Sequence, residues 1–183
     1  TLESRGLGDV YKRQGKDLGV IEEIWYNSSV DSRKIQGWIA KPPGFDKEKK
    51  YPLIVENHGG PISNYGDRFS PEILLYSAAG YVVFYPNPRG STSYGEEFGN
   101  LLYRNYPGDD YHDVMDGVDK MLELGYIDIE NLFVTGGSAG GIMTAWIIGK
   151  TDRFKASAVI KPVMNWISKT LVADNYYGCL LYT

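Results

Sequence analysis

The chain has 183 residues, with 19 basic and 23 acidic side chains and a formal net charge of −4 at pH 7. It is long enough for one domain with a buried core, and the absence of a basic run or an aromatic and basic stripe argues against nucleic acid as a partner. The longest apolar runs, such as residues 81–85, are far shorter than the roughly 20 residues of a membrane span. We therefore expect a soluble protein with no membrane partner, and the sequence leaves open whether its compartment is the cytoplasm or the periplasm. The lone cysteine, Cys179, and the absence of clustered His and Cys predict neither a disulfide framework nor a metal or other cofactor.

The two ends of the chain have an unusual composition. Residues 5–14 and 179–183 resemble translated sequencing-adapter read-through, which is found at the ends of reading frames from assembled environmental DNA. We expect residues 1–14 and 179–183 to be non-native flanks of a domain that spans residues 15–178. An ordinary linker before the domain and an ordinary loop after it are the alternatives.

The first elements of the domain are predicted strands. Residues 20–26 and 35–40 flank a turn-rich stretch, which predicts an antiparallel hairpin at the edge of a sheet. Residues 53–57 form an apolar run that is typical of a buried strand. That run ends abruptly at His58, the first residue of a His-Gly-Gly-Pro sequence.

Helices and strands alternate in the rest of the chain. Val114, Val118, Met121 and Leu122 recur at the spacing of a helix that packs on one side. Strands that alternate with helices of this length predict right-handed βαβ units, and so a mostly parallel sheet with flanking helices. The predicted helices cover residues 70–80, 109–125 and 142–148, and the predicted strands cover residues 81–85, 132–135 and 156–160.

The sequence Gly136-Gly137-Ser138-Ala139-Gly140 stands between a predicted strand and a predicted helix. This is the G-x-S-x-G pattern of a nucleophile elbow, in which small residues allow a sharp turn that lifts the serine hydroxyl clear of the sheet. Together with the His-Gly-Gly-Pro loop, the elbow predicts part of an α/β-hydrolase fold and a catalytic role for Ser138. In that fold the activating aspartate and histidine follow the serine, and no histidine follows Ser138 in this chain. We expect both to lie beyond the chain, which would then be nearly inactive by itself.

An oxyanion hole needs two N–H donors at the position where the substrate carbonyl oxygen becomes negative. The backbone N–H of Ala139 is the first predicted donor, because it follows the nucleophile and begins a helix. The second is expected from the loop after residues 53–57, where we assign Gly60, with Gly59 as the alternative.

The two histidines and one arginine have less direct parts in this hypothesis. His58 is expected to brace the oxyanion loop by hydrogen bonding, and His112 to be a solvated or ion-paired surface group. Arg89 follows a predicted strand at the edge where open α/β sheets bind ligands. It could bind a substrate carboxylate, but we favour an ion pair with Asp110 or Asp113 that supports the loop.

Several segments together resemble the catalytic domain of the prolyl-oligopeptidase-type serine peptidases, and most nearly the acylaminoacyl-peptidase and dipeptidyl-peptidase branch. The resemblance extends over residues 20–178. It rests on residues 41–45, 51–61, 87–95, 110–113, 136–141 and 151–155.

The resemblance implies a serine peptidase that acts on short peptides, with a β-propeller domain upstream that limits substrate size. It also implies that Ser138 is the nucleophile and that Ala139 and Gly60 are the oxyanion donors. Some relatives use a tyrosine hydroxyl where His58 stands. Two alternatives stay open: an esterase, which needs the same elbow and oxyanion hole, and a non-catalytic α/β-hydrolase-like binding module.

Overall fold

The computed structural model describes residue 15 and residues 17–172, so the predicted flanks at 1–14 and 179–183 lie outside the described residues. Six strands form one sheet in the order β1-β2-β4-β3-β5-β6. Their bounds are β1 Val20–Asn27, β2 Lys34–Lys41, β3 Tyr51–Asn57, β4 Val82–Asn87, β5 Ile127–Gly137 and β6 Ala156–Ile160.

The sheet is mixed in the way the sequence predicts. Strands β1 and β2 form the antiparallel hairpin at one edge, and β2 is also antiparallel to β4. Strands β4, β3, β5 and β6 are parallel to their neighbours. The expected architecture, a partial α/β-hydrolase sheet with flanking helices and an N-terminal hairpin, is confirmed.

Five α-helices and one short 3₁₀-helix connect the strands of the described part of the chain. They are α1 Pro71–Ala78, α2 Glu96–Gly99, the 3₁₀-helix Asn100–Leu102, α3 Asp110–Glu123, α4 Ala139–Ile148 and α5 Trp166–Val172. The predicted helices correspond to α1, α3 and α4. The Ser70 side chain caps α1 by accepting a hydrogen bond from the Ile73 N–H at 3.5 Å. None of these helices has both the length and the apolar character needed to cross a membrane.

The strand predicted at residues 132–135 is longer than expected. Strand β5 begins at Ile127, because Tyr51 of β3 pairs with Ile127 before a shift of register, and Leu53 then pairs with Leu132. The residues between these two pairs are mostly polar, so the apolar pattern that predicts a buried strand begins only at Leu132. The short helices α2 and α5 were not predicted either, since four and seven residues are too few to establish a helical period.

The larger part of the core lies between the sheet and helices α3 and α4. Val114, Val118 and Met121 of α3 are fully buried, as the helical spacing predicts, and Leu122 packs against the same cluster. Helix α1 covers the opposite face of the sheet, where Ile73 packs against a second cluster. The two layers hold the carboxyl ends of β3 and β5 side by side, at the edge where the elbow forms.

Gly117 of α3 is the point of closest approach between this helix and the sheet. A Cβ atom added there would lie 2.5 Å from the Phe84 ring and 2.7 Å from the Tyr26 hydroxyl oxygen. Because the Phe84 side chain is fully buried, it has no free space into which to move. Glycine is therefore required here by packing, although it weakens a helix intrinsically.

We predict that Gly117→Ala lowers the free energy of unfolding by about 1–2 kcal/mol, because overpacking outweighs the gain in helix propensity. The matched control is Gly99→Ala in α2, where an added Cβ meets nothing within 4 Å. That control should leave stability unchanged or raise it by about 0.4–1 kcal/mol. Urea denaturation of both variants measures the difference, and equal stability of the two would contradict the packing argument.

Candidate active site

Ser138 stands on a sharp turn between β5 and α4. Its backbone adopts φ 59° and ψ −116°, a strained combination for any residue with a side chain, and the residue is exposed. Strand β5 ends at Gly137 and α4 begins at Ala139, so the turn consists of Ser138 alone. This is the geometry of a nucleophile elbow.

The glycines around Ser138 allow bare backbone to pack against bare backbone. A Cβ atom on Gly140 would overlap the carbonyl oxygen of Asn57 at the end of β3. A Cβ on Gly136 would lie 2.6 Å from the Gly140 carbonyl carbon, and one on Gly141 would lie 2.5 Å from the Ile160 carbonyl oxygen. A side chain at any of these positions would therefore push the turn away from its neighbours.

Backbone hydrogen bonds fix the turn from both sides. The Ser138 N–H donates to the Ile160 carbonyl at the end of β6 over 2.9 Å. The Ser138 carbonyl accepts from the Ile142 N–H of α4 over 3.0 Å. The strained residue is thus held by the two elements that flank it in space, and its side chain is left free to project outward.

The loop after β3 passes directly beside the serine. A Cβ placed on Gly59 would lie 3.6 Å from the Ser138 Cβ and 3.1 Å from the Gly137 carbonyl oxygen. Gly60 is exposed at φ 120°, a conformation that glycine tolerates best. Ala139 is buried in the first turn of α4. The two segments predicted to supply oxyanion donors therefore meet at Ser138.

Both ring nitrogens of His58 have partners, one in its own loop and one in the loop after β4. Nδ1 lies 2.7 Å from the Gly59 carbonyl oxygen and Nε2 lies 2.9 Å from the Ser91 Oγ. Burial lowers the pKa of the imidazole below its usual value, which favours the neutral ring. Since a carbonyl only accepts, Nδ1 carries the proton of the neutral ring. Nε2 then shares the Ser91 hydroxyl proton with the Pro88 carbonyl oxygen, which lies 2.6 Å from the Ser91 Oγ. The ring links two loops, and His112 is exposed on α3.

Arg89 is buried in an ion pair with Asp113 of α3. The exposed fractions of the two side chains are 3% and 0%. The guanidinium donates to both carboxylate oxygens over 2.8 and 2.9 Å, and the Arg89 backbone N–H donates to the same carboxylate over 2.8 Å. A further bond over 2.8 Å reaches the Ser28 Oγ. Of the two partners that the sequence leaves open, Asp110 and Asp113, the ion pair uses Asp113.

Two buried acids close to the elbow were not recognised from the sequence as part of the site. Asp110, at the start of α3, is 2% exposed, and burial raises its pKa to about 7. Glu56, next to the end of β3, is 6% exposed, and burial raises its pKa to about 7 as well. The position of Glu56 inside an apolar run was the one sequence feature that could have indicated a buried acid. Asp110 stood among other acids at the start of a helix, which is the pattern of an exposed residue. Within residues 17–172, no group of three His, Cys, Asp or Glu side chains is placed to hold a metal ion.

We predict that Arg89→Leu lowers the free energy of unfolding by about 3–5 kcal/mol, because it leaves the Asp113 carboxylate buried and unpaired. The matched control is Arg153→Leu, which removes an ion pair with Asp119 whose side chains are 33% and 60% exposed. Such a surface pair contributes about 0–1 kcal/mol. Chemical denaturation at pH 7 measures the free energy of unfolding of both variants. A loss of under 1 kcal/mol for Arg89→Leu would contradict the assignment of a buried ion pair with Asp113.

The buried Glu56 carboxyl predicts a pH dependence of stability. Its pKa is about 7 in the folded chain against an ordinary value of 4.5, so between these pH values the folded state holds a proton that the unfolded state releases. The free energy of unfolding therefore falls as the pH rises through this range. Glu56→Gln should reduce that slope, to which the buried Asp110 also contributes, and raise stability at pH 8 by on the order of 2 kcal/mol.

Denaturation curves from pH 4.5 to pH 8 test this expectation for Glu56. Glu130→Gln, which removes an exposed acid of the same sheet, is the control for loss of surface charge. A slope that Glu56→Gln leaves unchanged would contradict the prediction.

Comparison with known proteins agrees with this geometry. The sequence model of the prolyl oligopeptidase family matches residues 67–182. The chain is 43% identical over 173 residues to the uncharacterized peptidase YuxL of Bacillus subtilis, and this match covers 94% of the present chain and 26% of YuxL. The chain is also 39% identical over 161 residues to dipeptidyl-peptidase 5 of Schizosaccharomyces pombe, and this match covers 85% of the present chain and 23% of the peptidase.

Among solved structures, an acylaminoacyl peptidase of Pyrococcus horikoshii superposes with a TM-score of 0.83 at 30% identity, over 93% of this chain and 27% of that one. The chain spans about a quarter of the length of the curated relatives it matches. The elbow, the adjacent glycine loop, the sheet order and these matches lead to one conclusion: the chain belongs to the prolyl oligopeptidase family of peptidases.

Proposed function

We propose that this chain is part of a serine peptidase that hydrolyses short peptides through an acyl-enzyme on Ser138. The observation that carries the proposal is the conformation of Ser138, exposed at φ 59° between a strand and a helix. Strain of this kind persists only where the surrounding structure imposes it. The membership in a peptidase family supports the choice of peptide bonds as the substrate class.

The proposed reaction begins when the Ser138 Oγ attacks the carbonyl carbon of the scissile bond and gives its proton to a general base. The carbonyl oxygen becomes negative and accepts hydrogen bonds from the Ala139 N–H and from the Gly60 N–H. The C–N bond then breaks, the base returns the proton to the leaving amine, and the acyl group stays on Ser138. Water hydrolyses the ester by the same steps and frees the serine.

The general base and the acid that orients it are proposed to come from a longer protein. Both nitrogens of His58 already have partners, in its own loop and in the loop after β4, and His112 is exposed on α3. Neither arrangement suits a group that must take the proton of Ser138. Loss of the histidine of a triad reduces turnover on the order of a million-fold, so the chain alone should be nearly inert.

The longer protein is also proposed to contain the β-propeller that the family resemblance implies. The curated relatives are about four times as long as the matched segment, which leaves room for such a domain. A propeller over the elbow would admit short peptides and exclude folded proteins. That property would separate the peptidase from an esterase, which needs the same elbow but no such filter.

We predict that a fluorophosphonate probe labels Ser138 rapidly in a longer protein that includes the triad partners, and at least a thousand-fold more slowly in the present chain. Ser138→Ala should abolish labelling. Ser93→Ala is the matched control, because Ser93 is also an exposed serine with positive φ, at 80°, and its loss should leave labelling unchanged. Mass spectrometry of the labelled peptide gives the site.

Substrate assays of the same longer protein distinguish a peptidase from an esterase and from a binding module. Cleavage of a short peptide amide with a kcat/KM comparable to that of the matching ester supports the peptidase. Activity on the ester alone would favour an esterase. No labelling of the longer protein at Ser138 would point to a binding module and contradict the proposal.

A further inference from the structure

A small cavity lies against the elbow, between the end of β3 and the start of α3. Its volume is about 20 Å³, and its lining combines polar residues, among them Asn57, His58, Tyr106 and Asp110, with apolar ones that include Leu102, Ala139 and Met143. A cavity needs roughly 10–15 Å³ of such volume to hold one water molecule, together with two to four polar partners. The cavity therefore has room for one water and not for a larger ligand.

Asn57 offers this cavity an acceptor that no described residue uses. Its Oδ1 atom is buried and accepts no hydrogen bond from residues 17–172. The orientation of the amide follows from its other contact. The single hydroxyl proton of Thr144 is donated to the Gly140 carbonyl over 2.8 Å, so Thr144 can only accept from the Asn57 Nδ2, 3.2 Å away. This fixes Oδ1 on the side away from Thr144.

Asp110 offers the cavity a proton. Its carboxyl accepts a hydrogen bond from the Gly108 N–H over 2.7 Å, but it forms no ion pair within residues 17–172, where Arg89 is paired with Asp113. Burial is the largest effect on its pKa and, with the negative charge of Asp113, outweighs the backbone hydrogen bonds that favour ionisation. The protonated acid has an O–H group that needs an acceptor, and Asn57 Oδ1 needs a donor.

We propose that one water molecule occupies the cavity, accepts a hydrogen bond from the Asp110 carboxyl group and donates one to Asn57 Oδ1. Asp110 and Asn57 are then positioning residues for the elbow. The water site stands on the geometry alone, whereas its part in catalysis rests on the proposed function of Ser138.

The bridge would reach the elbow through two short paths. Asn57 is joined to the first turn of α4 through Thr144 and the Gly140 carbonyl. On the other side of the cavity, the Tyr106 hydroxyl donates to the Ala139 carbonyl over 3.0 Å. The two paths end on Gly140 and Ala139, two residues and one residue after Ser138, so the water would couple the start of α3 to the turn that holds the nucleophile.

The charge state of Asp110 would matter for the oxyanion. The charged and titratable groups around it are Asp109 and Asp113 on its own helix and Arg89, His58 and Tyr106 on the loops packed against it. The Arg89 charge is balanced by Asp113, and burial favours neutral His58 and Tyr106. An ionised Asp110 would therefore place uncompensated negative charge near Ala139, where the reaction itself develops negative charge.

High-resolution crystallography of the chain at pH 6 tests the water directly. We expect one ordered water within hydrogen-bond distance of both Asn57 Oδ1 and the Asp110 carboxyl. A dry cavity, or a direct bond between the two side chains, would overturn the proposal. This measurement does not depend on activity, so its result is separate from the result of labelling Ser138.

Three variants test the positioning role by amide exchange and NMR titration. Asp110→Asn keeps a donor for the water, so the Ile142 amide, which donates to Ser138, should exchange as in the parent chain. Asp110→Leu should accelerate that exchange roughly tenfold relative to amides of the β1-β2 hairpin, as expected when one buried acceptor loses its partner. Asp119→Asn, an exposed acid on the same helix, is the control.

The titration adds a measurement that a purely structural role would not change. In a Glu56→Gln background, which removes the other buried acid with a pKa of about 7, the Ala139 and Gly140 amide shifts should titrate with a midpoint near pH 7, also when Asp119→Asn is added, and stay flat when Asp110→Asn is added. A titration that persists in Asp110→Asn, or equal exchange in Asp110→Leu and Asp110→Asn, would contradict the assignment.

Discussion

The contact between two stretches of bare backbone is the constraint on which this structure depends. The carbonyl oxygen of Asn57, at the end of β3, occupies the space that a side chain on Gly140 would need. Because β3 and β5 are parallel neighbours, their carboxyl ends arrive at the same edge, and α4 can begin there only if its first turn is nearly without side chains. The glycines thus allow the strained Ser138 to project from the sheet while its neighbours stay packed.

A second constraint is the ion pair between Arg89 and Asp113, which fixes the loop after β4 against α3. A buried guanidinium must be matched by a buried carboxylate, and Asp113 provides it with two parallel hydrogen bonds. Arg89 also lies within 4 Å of the carboxylates of Asp31 and Asp109, but it forms no ion pair with Asp110. Burial raises the pKa of Asp110, and the way the neighbouring loop is held leaves no cation to oppose that effect.

The sequence predicts the elbow, the hairpin, the parallel sheet and α3, because each has a local pattern of glycine or apolar residues. It does not predict the early start of β5, since pairing between Tyr51 and Ile127 is a long-range event in a polar stretch. It places His112 at the surface correctly, but it does not predict that Asp110 is buried. Both lie in the first turn of one helix, and their burial depends on the loops packed over it.

Around Ser138, the groups that could carry charge are each neutralised by a different means. Burial favours neutral His58, Arg89 is paired with Asp113 and lies near Asp31 and Asp109, and burial favours the protonated form of Asp110 below pH 7. An oxyanion formed by the proposed reaction at Ser138 would therefore meet mainly backbone N–H dipoles. Fixed dipoles in a site of low polarity stabilise developing charge more strongly than they do in water. The uncharged surroundings of the serine are thus part of the catalytic argument, although none of these side chains reacts.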